Sequence, residues 1–434
     1  MESRIDPRVK LMQDADMRGK VVLLRVDHNV VKNGEIKDPY RIDATLGTLY
    51  AVAEKGGRPI LMTHVGRPRD KKTGAIFCRE QESVEPIVRY LERKLPVRIH
   101  MPTLPVQGDL GIVDIQDHLK PAVKDLVEGR VNMVYLPNTR WFRGEEETGG
   151  ERIDFARQLA SLADIYINDA FGSWQPHAST YDVAELLPSF AGILLQRELA
   201  HLNLVLSPEK PFTAVVAGAK YDTKIGPLKA LHAKVDHLVL GGLMYNAYLS
   251  AKYNIEISGV THEDKKAAGE LVEMDREVHK IVELDPVVES DTLDGRNEGE
   301  YRTVSLKELS AKKRCGYVVD ISPEAFDTAS VSEAFSRVRT LFANAVMGLM
   351  PFFPEGSRAL YKRITASTGA GKLLGGGDTL QEFKNLCPGE YMKGLDSAET
   401  YYFTGGGSVL TAIEQGTAYG LKPVQALMKE QPGS

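Results

Sequence analysis

Short apolar runs rich in branched residues recur along this chain, and each is followed by a polar or glycine-rich turn and then by a helix-like pattern. This alternation is typical of parallel βαβ units, whose strands are covered on both faces and need no polar alternation. The sequence therefore predicts an α/β fold with two Rossmann-like, doubly wound parallel-sheet lobes. The predicted strands are 21–26, 59–63, 133–136 and 165–167 in the first half, and 212–216, 237–240, 341–343, 373–374 and 401–403 in the second.

A helix between the two halves is predicted to join the lobes. Ser189 can cap it, and Phe190, Leu194, Leu202 and the other apolar residues up to position 206 form one stripe. A chain of 434 residues is also too long for one undivided core. We predict lobes at 1–188 and 207–408, a connecting helix at 189–206, and a C-terminal segment, 409–434, that returns towards the first lobe.

The overall charge gives no reason to expect nucleic acid or an anionic membrane as a partner, because the formal net charge is −5. The beginning of the sequence lacks the apolar core of a signal peptide, and no stretch reaches the apolar length of a membrane span. The three cysteines are far apart and show no metal-ligand spacing. We expect a cytoplasmic protein, with a monomer as the default state.

Ligands of open parallel sheets bind beyond the carboxyl ends of the strands. In the first half, arginines and a histidine gather at these positions, which favours a small, multiply charged anion because guanidinium groups bind carboxylate and phosphate bidentately. Alternatively, these are ordinary surface arginines and turn residues. The candidate residues are Asp27, Asn29, Arg41, His64, Arg67 and Arg140.

The strand ends of the second half carry glycines, which let the backbone approach a ligand and open helices whose N–H groups bind phosphate. This pattern is typical of a nucleotide-binding lobe, although glycines after strands can also be plain turns. The candidate residues are Gly218, Ala219, Lys220, Lys224, Gly241, Gly242, Gly375, Gly376, Gly377, Asp378, Thr379, Gly405, Gly406 and Gly407.

Three charged residues of the second half are candidates for phosphoryl chemistry. Lys220 and Lys224 lie four apart, on one face if a helix begins there, and can screen phosphate charge. Asp378 follows a triple-glycine turn, where its carboxylate can hold nucleotide-bound Mg²⁺. The alternative for Asp378 with Thr379 is a simple helix N-cap.

Together these motifs resemble phosphoglycerate kinase from about residue 21 to residue 421, in order and with compatible spacing. The segments that carry the resemblance are 25–29 (RVDHN), 63–68 (THVGRP), 168–172 (NDAFG), 218–225 (GAKYDTKI), 375–379 (GGGDT) and 404–407 (TGGG). The resemblance implies two lobes that face a cleft. The first lobe would bind 3-phosphoglycerate, and the second would bind Mg-ATP or Mg-ADP.

The resemblance also implies roles for the candidate residues. Asp27 and Asn29 would bind the glycerate, while His64, Arg67 and Arg140 would surround its phosphate. Arg41 and Lys220 would screen the transferring phosphoryl group, and Lys224 would contact nucleotide phosphates. Asp378 would hold magnesium, Asn344 would match an asparagine of the nucleotide-lobe motif, and the glycine turns would contact adenine and phosphates.

Four positions depart from the family pattern. An arginine expected after the NDAFG segment is missing near Gln175, and Arg143 is a candidate substitute. Pro351 stands where a ribose-binding glutamate is expected, with Glu355 as a candidate substitute. Ser322 replaces a glycine on the adenine side. His28 replaces a phenylalanine, which we interpret as a packing change in preference to a catalytic gain.

Three hypotheses follow. The first is a phosphoglycerate kinase that transfers phosphoryl groups reversibly between 1,3-bisphosphoglycerate with ADP and 3-phosphoglycerate with ATP. The second is a kinase of the same fold that forms an acyl phosphate on a different small acid, which the missing arginine favours. The third is a noncatalytic nucleotide-binding protein, which Arg41, Lys220, Lys224 and Asp378 argue against.

Overall fold

The chain forms two compact units in a computed structural model that describes residues 5–218 and 225–428. The first unit runs to Ala200 and includes the residues from Tyr419 onward, and the second is His201–Ala418. Among the described residues, no helix is long and apolar enough to span a membrane.

The first unit contains one large sheet, one small hairpin and several helices. Its strands are β1 (Val21–Val26), β2 (Val31–Lys32), β3 (Glu35–Ile36), β4 (Arg58–Met62), β5 (Ile99–His100), β6 (Met133–Tyr135), β7 (Ile165–Asp169) and β8 (Ser189–Ala191). Its helices are α1 (Tyr40–Ala44), α2 (Leu46–Glu54), α3 (Glu85–Lys94), α4 (Gln116–Val127), α5 (Gly150–Ala160), the first turns of α6 (Ile193–Leu206), and α16 (Lys422–Ala426) near the end of the chain.

The large sheet of the first unit has the order β5-β6-β4-β1-β7-β8, and its neighbouring strands are parallel. The central strand β1 is buried along its whole length, as expected for a strand covered on both faces. The chain leaves β1 towards β4 and later returns to the other side of β1 as β7. The carboxyl ends of β1 and β7 therefore flank the position where such sheets bind ligands.

The second unit contains a second large sheet and two smaller ones. Its strands are β9 (Phe212–Gly218), β10 (His237–Gly241), β11 (Glu256–Ile257), β12 (Ile281–Val282), β13 (Val287–Ser290), β14 (Tyr301–Val304), β15 (Arg314–Cys315), β16 (Tyr317–Ile321), β17 (Thr340–Asn344), β18 (Gly371–Gly375) and β19 (Thr400–Phe403). Its helices after α6 are α7 (Ile225–Lys234), α8 (Gly242–Tyr253), α9 (His262–Asp275), α10 (Leu306–Ser310), α11 (Ala329–Ser336), α12 (Glu355–Ala366), α13 (Gly377–Leu386), α14 (Pro388–Leu395) and α15 (Gly406–Gln415).

The large sheet of the second unit has the order β12-β10-β9-β17-β18-β19, again with parallel neighbours. This is the strand order of a nucleotide-binding Rossmann sheet, with its switch point between β9 and β17. Gly218 ends β9 and Asn344 ends β17, so both candidate residues lie at the switch point.

All nine predicted strands are present within one or two residues of their expected bounds, and the fold class is confirmed. The predicted start of the connecting helix is wrong. Ser189 belongs to β8, which pairs with β7, and α6 begins only at Ile193.

The reason lies in where the Ser189 hydroxyl points. It donates to the carbonyl oxygens of Ala184 (3.0 Å) and Leu187 (2.7 Å) and so does not cap the helix. The amides of the first turn of α6 bind side chains from elsewhere in the first unit. Ile193 N–H donates to Thr48 Oγ1 (3.0 Å) and Leu195 N–H to Asp169 Oδ1 (3.0 Å).

A buried carboxyl group lies beneath the start of α12 in the second unit. Asp320 accepts hydrogen bonds from the amides of Gly356 (2.9 Å) and Ile321 (2.8 Å). A Cβ at Gly348 or Gly356 would come within 2.6 Å of its carboxyl group. Burial is the main cause that raises the pKa of Asp320, and the amide hydrogen bonds offset part of the rise. The resulting pKa is about 7.

We predict that Asp320 makes the stability of the protein fall as the pH rises. Its pKa is raised above the unfolded value of 3.8 to about 7, so its contribution is complete at low pH and is lost on approach to neutrality. The loss should be about 1.4 kcal/mol per pH unit at most between those values. Urea unfolding followed by circular dichroism from pH 4.5 to 7.5 should show a flatter profile for Asp320→Asn, whereas Asp327→Asn, which removes an exposed carboxylate, should keep the native slope.

Candidate active site

An ion pair stands at the end of β1. Arg41, on α1, donates from Nη1 to Asp27 Oδ2 at 3.2 Å, and the side chain of Asp27 is only 2% exposed. The other oxygen, Asp27 Oδ1, is buried and makes no hydrogen bond within the described part of the chain. Since a buried carboxylate oxygen without a donor is costly, this atom can accept a hydroxyl group from a ligand.

His64 lies beside this pair, and its ring nitrogens both face donors. Arg25 Nη2 is 3.0 Å from Nδ1, and Asn29 Nδ2 is 3.1 Å from Nε2. A guanidinium group can only donate, so Nδ1 accepts and Nε2 carries the proton. The amide oxygen of Asn29 is already bound by Gly66 N–H at 3.0 Å, which leaves its NH₂ group facing the Nε2–H group.

Two adjacent donors without an acceptor between them favour an anionic ligand, because one carboxylate or phosphate oxygen can accept from both. His64 stays neutral in this environment. Burial lowers its pKa well below the usual value, and the charges of Arg140, Arg25 and Arg41 lower it further.

Arg140 reaches the same edge of the sheet from the turn after β6. Its Nη1 donates to Gly66 O at 2.6 Å, and its Nε lies 2.9 Å from Glu146 Oε1. Arg67 is exposed. The structure thus brings Asp27, Asn29, Arg41, His64, Arg67 and Arg140 to one edge of the first unit's sheet, where the sequence predicts an anion site; we call this edge the rim.

The segment that lacks the expected arginine closes this rim without supplying a positive charge. Ser173 Oγ lies 3.5 Å from His64 Nδ1. The side chain of Gln175 is exposed, while its carbonyl oxygen accepts from His177 N–H (3.0 Å) and Thr180 Oγ1 (2.6 Å). Burial lowers the pKa of His177 to about 4, so this ring is neutral near pH 7.

Arg143, the candidate substitute for the missing arginine, is engaged elsewhere. Its Nε and Nη2 lie 2.9 and 2.8 Å from the two carboxylate oxygens of Glu151, a bidentate pair. A guanidinium group held in this way has fewer donors left for a ligand phosphate.

The second unit presents helix N-termini at the carboxyl edge of its sheet. The N-cap residues of α8, α13 and α15 are Gly241, Gly376 and Gly405, and none of the three makes a side-chain capping hydrogen bond. Both triple-glycine turns therefore open helices, as predicted. The first-turn N–H groups and the positive ends of the helix dipoles suit the phosphates of a nucleotide.

These glycines allow very close packing. A Cβ at Gly406 would lie 2.5 Å from the Cα of Gly376 and 2.9 Å from Asn344 Nδ2. Asn344 donates from Nδ2 to Gly375 O at 2.8 Å, which joins the ends of β17 and β18. Gly218 and Gly242 form an isolated parallel β-bridge between the end of β9 and the start of α8. Only glycine fits where the two triple-glycine turns meet.

Asp378 is the second residue of α13, and its side chain is exposed. The N-cap interpretation of this residue is wrong, because Gly376 occupies that position and Thr379 is buried inside the first turn. No cluster of three or more metal-ligating side chains occurs in the described residues. A single carboxylate beside the free amides of a helix N-terminus nevertheless fits Mg²⁺, which usually takes one or two carboxylates together with phosphate oxygens.

Three predicted nucleotide-site residues, Ala219, Lys220 and Lys224, lie outside the described residues. Glu355, the candidate ribose ligand, forms a 2.5 Å ion pair with Arg296. Ser322 is buried, and its hydroxyl donates to Glu324.

Two residues that build the first unit's rim had no predicted role. Arg25 was noted only as part of a motif, yet its guanidinium sets the tautomer of His64. Asn138 is fully buried and joins two rim loops, since its Oδ1 accepts from Val65 N–H (3.0 Å) and Arg140 N–H (3.1 Å). Its position directly after a predicted strand was the available indication.

A parallel α/β chain with a basic strand-end rim in one unit and glycine-opened helices in the other has the features of a two-lobed phosphotransferase. The model of the family "Phosphoglycerate kinase" matches residues 12–416. A phosphoglycerate kinase of Pelotomaculum thermopropionicum is 35% identical over 413 residues, which cover 93% of this chain and 96% of that protein. One of Chlamydia trachomatis is 33% identical over 432 residues, covering 96% and 99%.

A solved structure agrees with the sequence relatives. The phosphoglycerate kinase of Coxiella burnetii superposes with a TM-score of 0.72 at 27% identity, covering 96% of this chain and 98% of that one. The chain belongs to the phosphoglycerate kinase family, and it is a phosphotransferase.

We predict that Gly406→Ala weakens nucleotide binding and lowers stability together. The added Cβ would meet Gly376 Cα at 2.5 Å, so α13 and α15 must separate and their first turns must shift. Calorimetric titration with ADP should show affinity at least about tenfold lower, the size expected when one or two charge-assisted hydrogen bonds are lost. Gly269→Ala on α9, where a Cβ meets nothing within 4 Å, is the matched control and should bind ADP normally.

Proposed function

We propose that this chain transfers a phosphoryl group reversibly between ATP and 3-phosphoglycerate, giving ADP and 1,3-bisphosphoglycerate. A carboxylate oxygen of the acid attacks the γ-phosphorus, and the bond from that phosphorus to the β,γ-bridging oxygen breaks as ADP leaves. The observation that carries this proposal is the first unit's rim, where an unpaired carboxylate oxygen and two unmatched N–H donors stand beside Arg41.

The charges of this rim fit a small hydroxy acid that carries a phosphate. Asp27 Oδ1 is placed to accept a hydroxyl group, while His64 and Asn29 offer N–H groups to an anionic oxygen. Arg67 and Arg140 add positive charge for the phosphate. A carboxylic acid without a phosphate group would leave these arginines unused.

The nucleotide is proposed to bind the second unit. The uncapped starts of α8, α13 and α15 would receive its phosphates, and Asp378 would contribute a carboxylate to the Mg²⁺ that accompanies them. When bound, that ion would neutralise charge on the phosphate oxygens. Lys220 and Lys224 are proposed to act on the same phosphates, by the resemblance of residues 218–225 to the family.

The two substrates are assigned to different units. We assign acid binding to the unit that contains β1 to β8 and nucleotide binding to the unit that contains β9 to β19. The helix α6, which begins in one unit and ends in the other, is proposed as the connecting helix.

Turnover of purified protein with Mg-ATP and 3-phosphoglycerate, coupled to reduction of 1,3-bisphosphoglycerate by a dehydrogenase, tests the proposal. Arg41→Lys should lower kcat at least about 100-fold, because the planar guanidinium that faces the phosphoryl group during transfer would be replaced by a flexible ammonium group. Arg58→Lys, at the opposite edge of the same sheet, is the control and should retain full turnover. Absence of turnover by the native chain, with ADP still bound, would contradict the proposed substrate.

Lys220→Ala should separate chemistry from binding. If Lys220 acts mainly on the transferring phosphoryl group, kcat should fall by about 100-fold or more while the dissociation constant of ADP changes by less than about threefold. Equal losses in both quantities would assign Lys220 to nucleotide binding instead.

The missing arginine raises the question of whether 3-phosphoglycerate or a different small acid is the acceptor. Restoring the charge with Gln175→Arg tests this directly, because the position is exposed and its backbone contacts do not involve the side chain. For 3-phosphoglycerate as substrate, KM should fall roughly tenfold, the effect of one charge-assisted hydrogen bond to phosphate. Gln175→Met, of similar length but uncharged, should leave KM unchanged. An unaltered KM in the arginine variant would favour another acid.

A further inference from the structure

His28 lies between two proposed acid-binding residues, Asp27 and Asn29, and its side chain is fully buried. Its Nδ1 is 2.9 Å from the hydroxyl of Tyr135 on β6, and its Nε2 is 2.9 Å from the hydroxyl of Thr45, between α1 and α2. Its amide donates to Thr63 Oγ1 at 2.9 Å. A phenylalanine, the residue expected here, could make neither ring contact.

The direction of each hydrogen bond can be assigned. Thr45 Oγ1 donates its proton to Ile42 O at 2.8 Å, so towards His28 it can only accept. Nε2 of His28 therefore carries the proton, and Nδ1 accepts from the hydroxyl of Tyr135. Protons point one way along the whole series, from Tyr135 through His28 and Thr45 to Ile42 O, and we name these contacts the buried relay.

The buried relay ends on the helix that carries Arg41. The helix α1 has only five residues, and no side chain caps its beginning. So short a helix has no stability of its own and depends on contacts with its surroundings. Apart from the ion pair of Arg41, α1 is also held through Asp43, whose Oδ1 accepts from the hydroxyl of Tyr90 and from Lys94 Nζ, each at 2.7 Å.

We propose that His28 is a positioning residue: through Thr45 it fixes the last turn of α1 against β6 and so holds Arg41 in its ion pair with Asp27. The inference rests on the proposed function for the role of Arg41. The contacts of His28 with Tyr135 and Thr45 do not depend on that function. The sequence predicted only a packing role for His28. The proposal adds an indirect role in the reaction, through the position of Arg41 and without contact between His28 and the substrate.

The charge state of His28 agrees with this arrangement. Burial lowers its pKa to about 3, and the charge of Arg25 lowers it further. Tyr135 and Thr45 face the ring as neutral partners, and Asp27 and Arg25 are the ionised groups nearest to it in sequence. A neutral ring with one donor and one acceptor is the form that the buried relay requires.

The test uses the full-length protein and two variants. The double variant His28→Phe with Tyr135→Phe removes the buried relay without leaving the tyrosine hydroxyl unpaired. If His28 served only the stability of the fold, this variant would therefore behave nearly like the native protein. Tyr166→Phe is the matched control, since it removes one buried hydrogen bond, to Ser179 O at 3.0 Å, from the same sheet but far from α1 in the chain.

Three measurements decide the inference. Amide hydrogen exchange of residues 42–45 should be at least about tenfold faster in the double variant, with β1 unchanged. In turnover, kcat should fall by about tenfold or more while the dissociation constant of ADP stays within about twofold. Nitrogen-15 spectra of native His28 should show a proton on Nε2 and no titration between pH 5 and 8. Tyr166→Phe should retain native kcat and native exchange at residues 42–45.

The opposite results would overturn the inference. Native exchange at residues 42–45 in the double variant, or a proton on Nδ1 of native His28, would show that the buried relay does not hold α1. Native kcat in the double variant would show that α1 needs no such support. Turnover of the native chain on 3-phosphoglycerate is measured separately, so failure of the proposed function would leave the exchange and tautomer results decisive.

Discussion

The hydrogen bonds of the buried Arg25 guanidinium are the interaction on which the rim of the first unit depends. Its side chain is almost fully buried, and Nη1 donates to Val26 O (2.7 Å) and Met62 O (3.3 Å), which joins the carboxyl ends of β1 and β4. Its other terminal nitrogen binds His64 and forces the ring proton outward. A buried cation at this point therefore sets both the spacing of two strands and the polarity of the site above them.

The corresponding sheet edge of the second unit is built differently. Its rim is made of backbone rather than charged side chains, and the positions that matter lack a Cβ because Gly376 and Gly406 nearly touch. Asn344 secures the arrangement by binding Gly375 O. On the proposed assignment, one unit binds an anion through ionised side chains and the other through oriented backbone amides.

The sequence predicted the two sheets well because their strands are mostly apolar runs bounded by polar or glycine-rich turns, such as 21–26 and 212–216, a pattern that is visible locally in the sequence. It failed at Ser189, where strand pairing with β7 outweighed a good capping residue. The small antiparallel strands β13, β14 and β16 were also not predicted, since their pairing is fixed by tertiary contacts. The positions of site residues were predictable from strand ends, whereas hydrogen-bond directions were not, because they depend on partners such as Thr45 and Asn138 far away in sequence.

The buried relay has a consequence for how this chain can change over time. Removing any single member leaves a polar group without a partner in the protein interior, at a cost of about 1–3 kcal/mol. Positions 28, 45 and 135 are therefore expected to vary together across descendants of this protein rather than one by one. A lineage that acquired phenylalanine at position 28 would first, or at the same time, have to lose the hydroxyl of Tyr135, so one histidine ring restricts the order in which substitutions can accumulate.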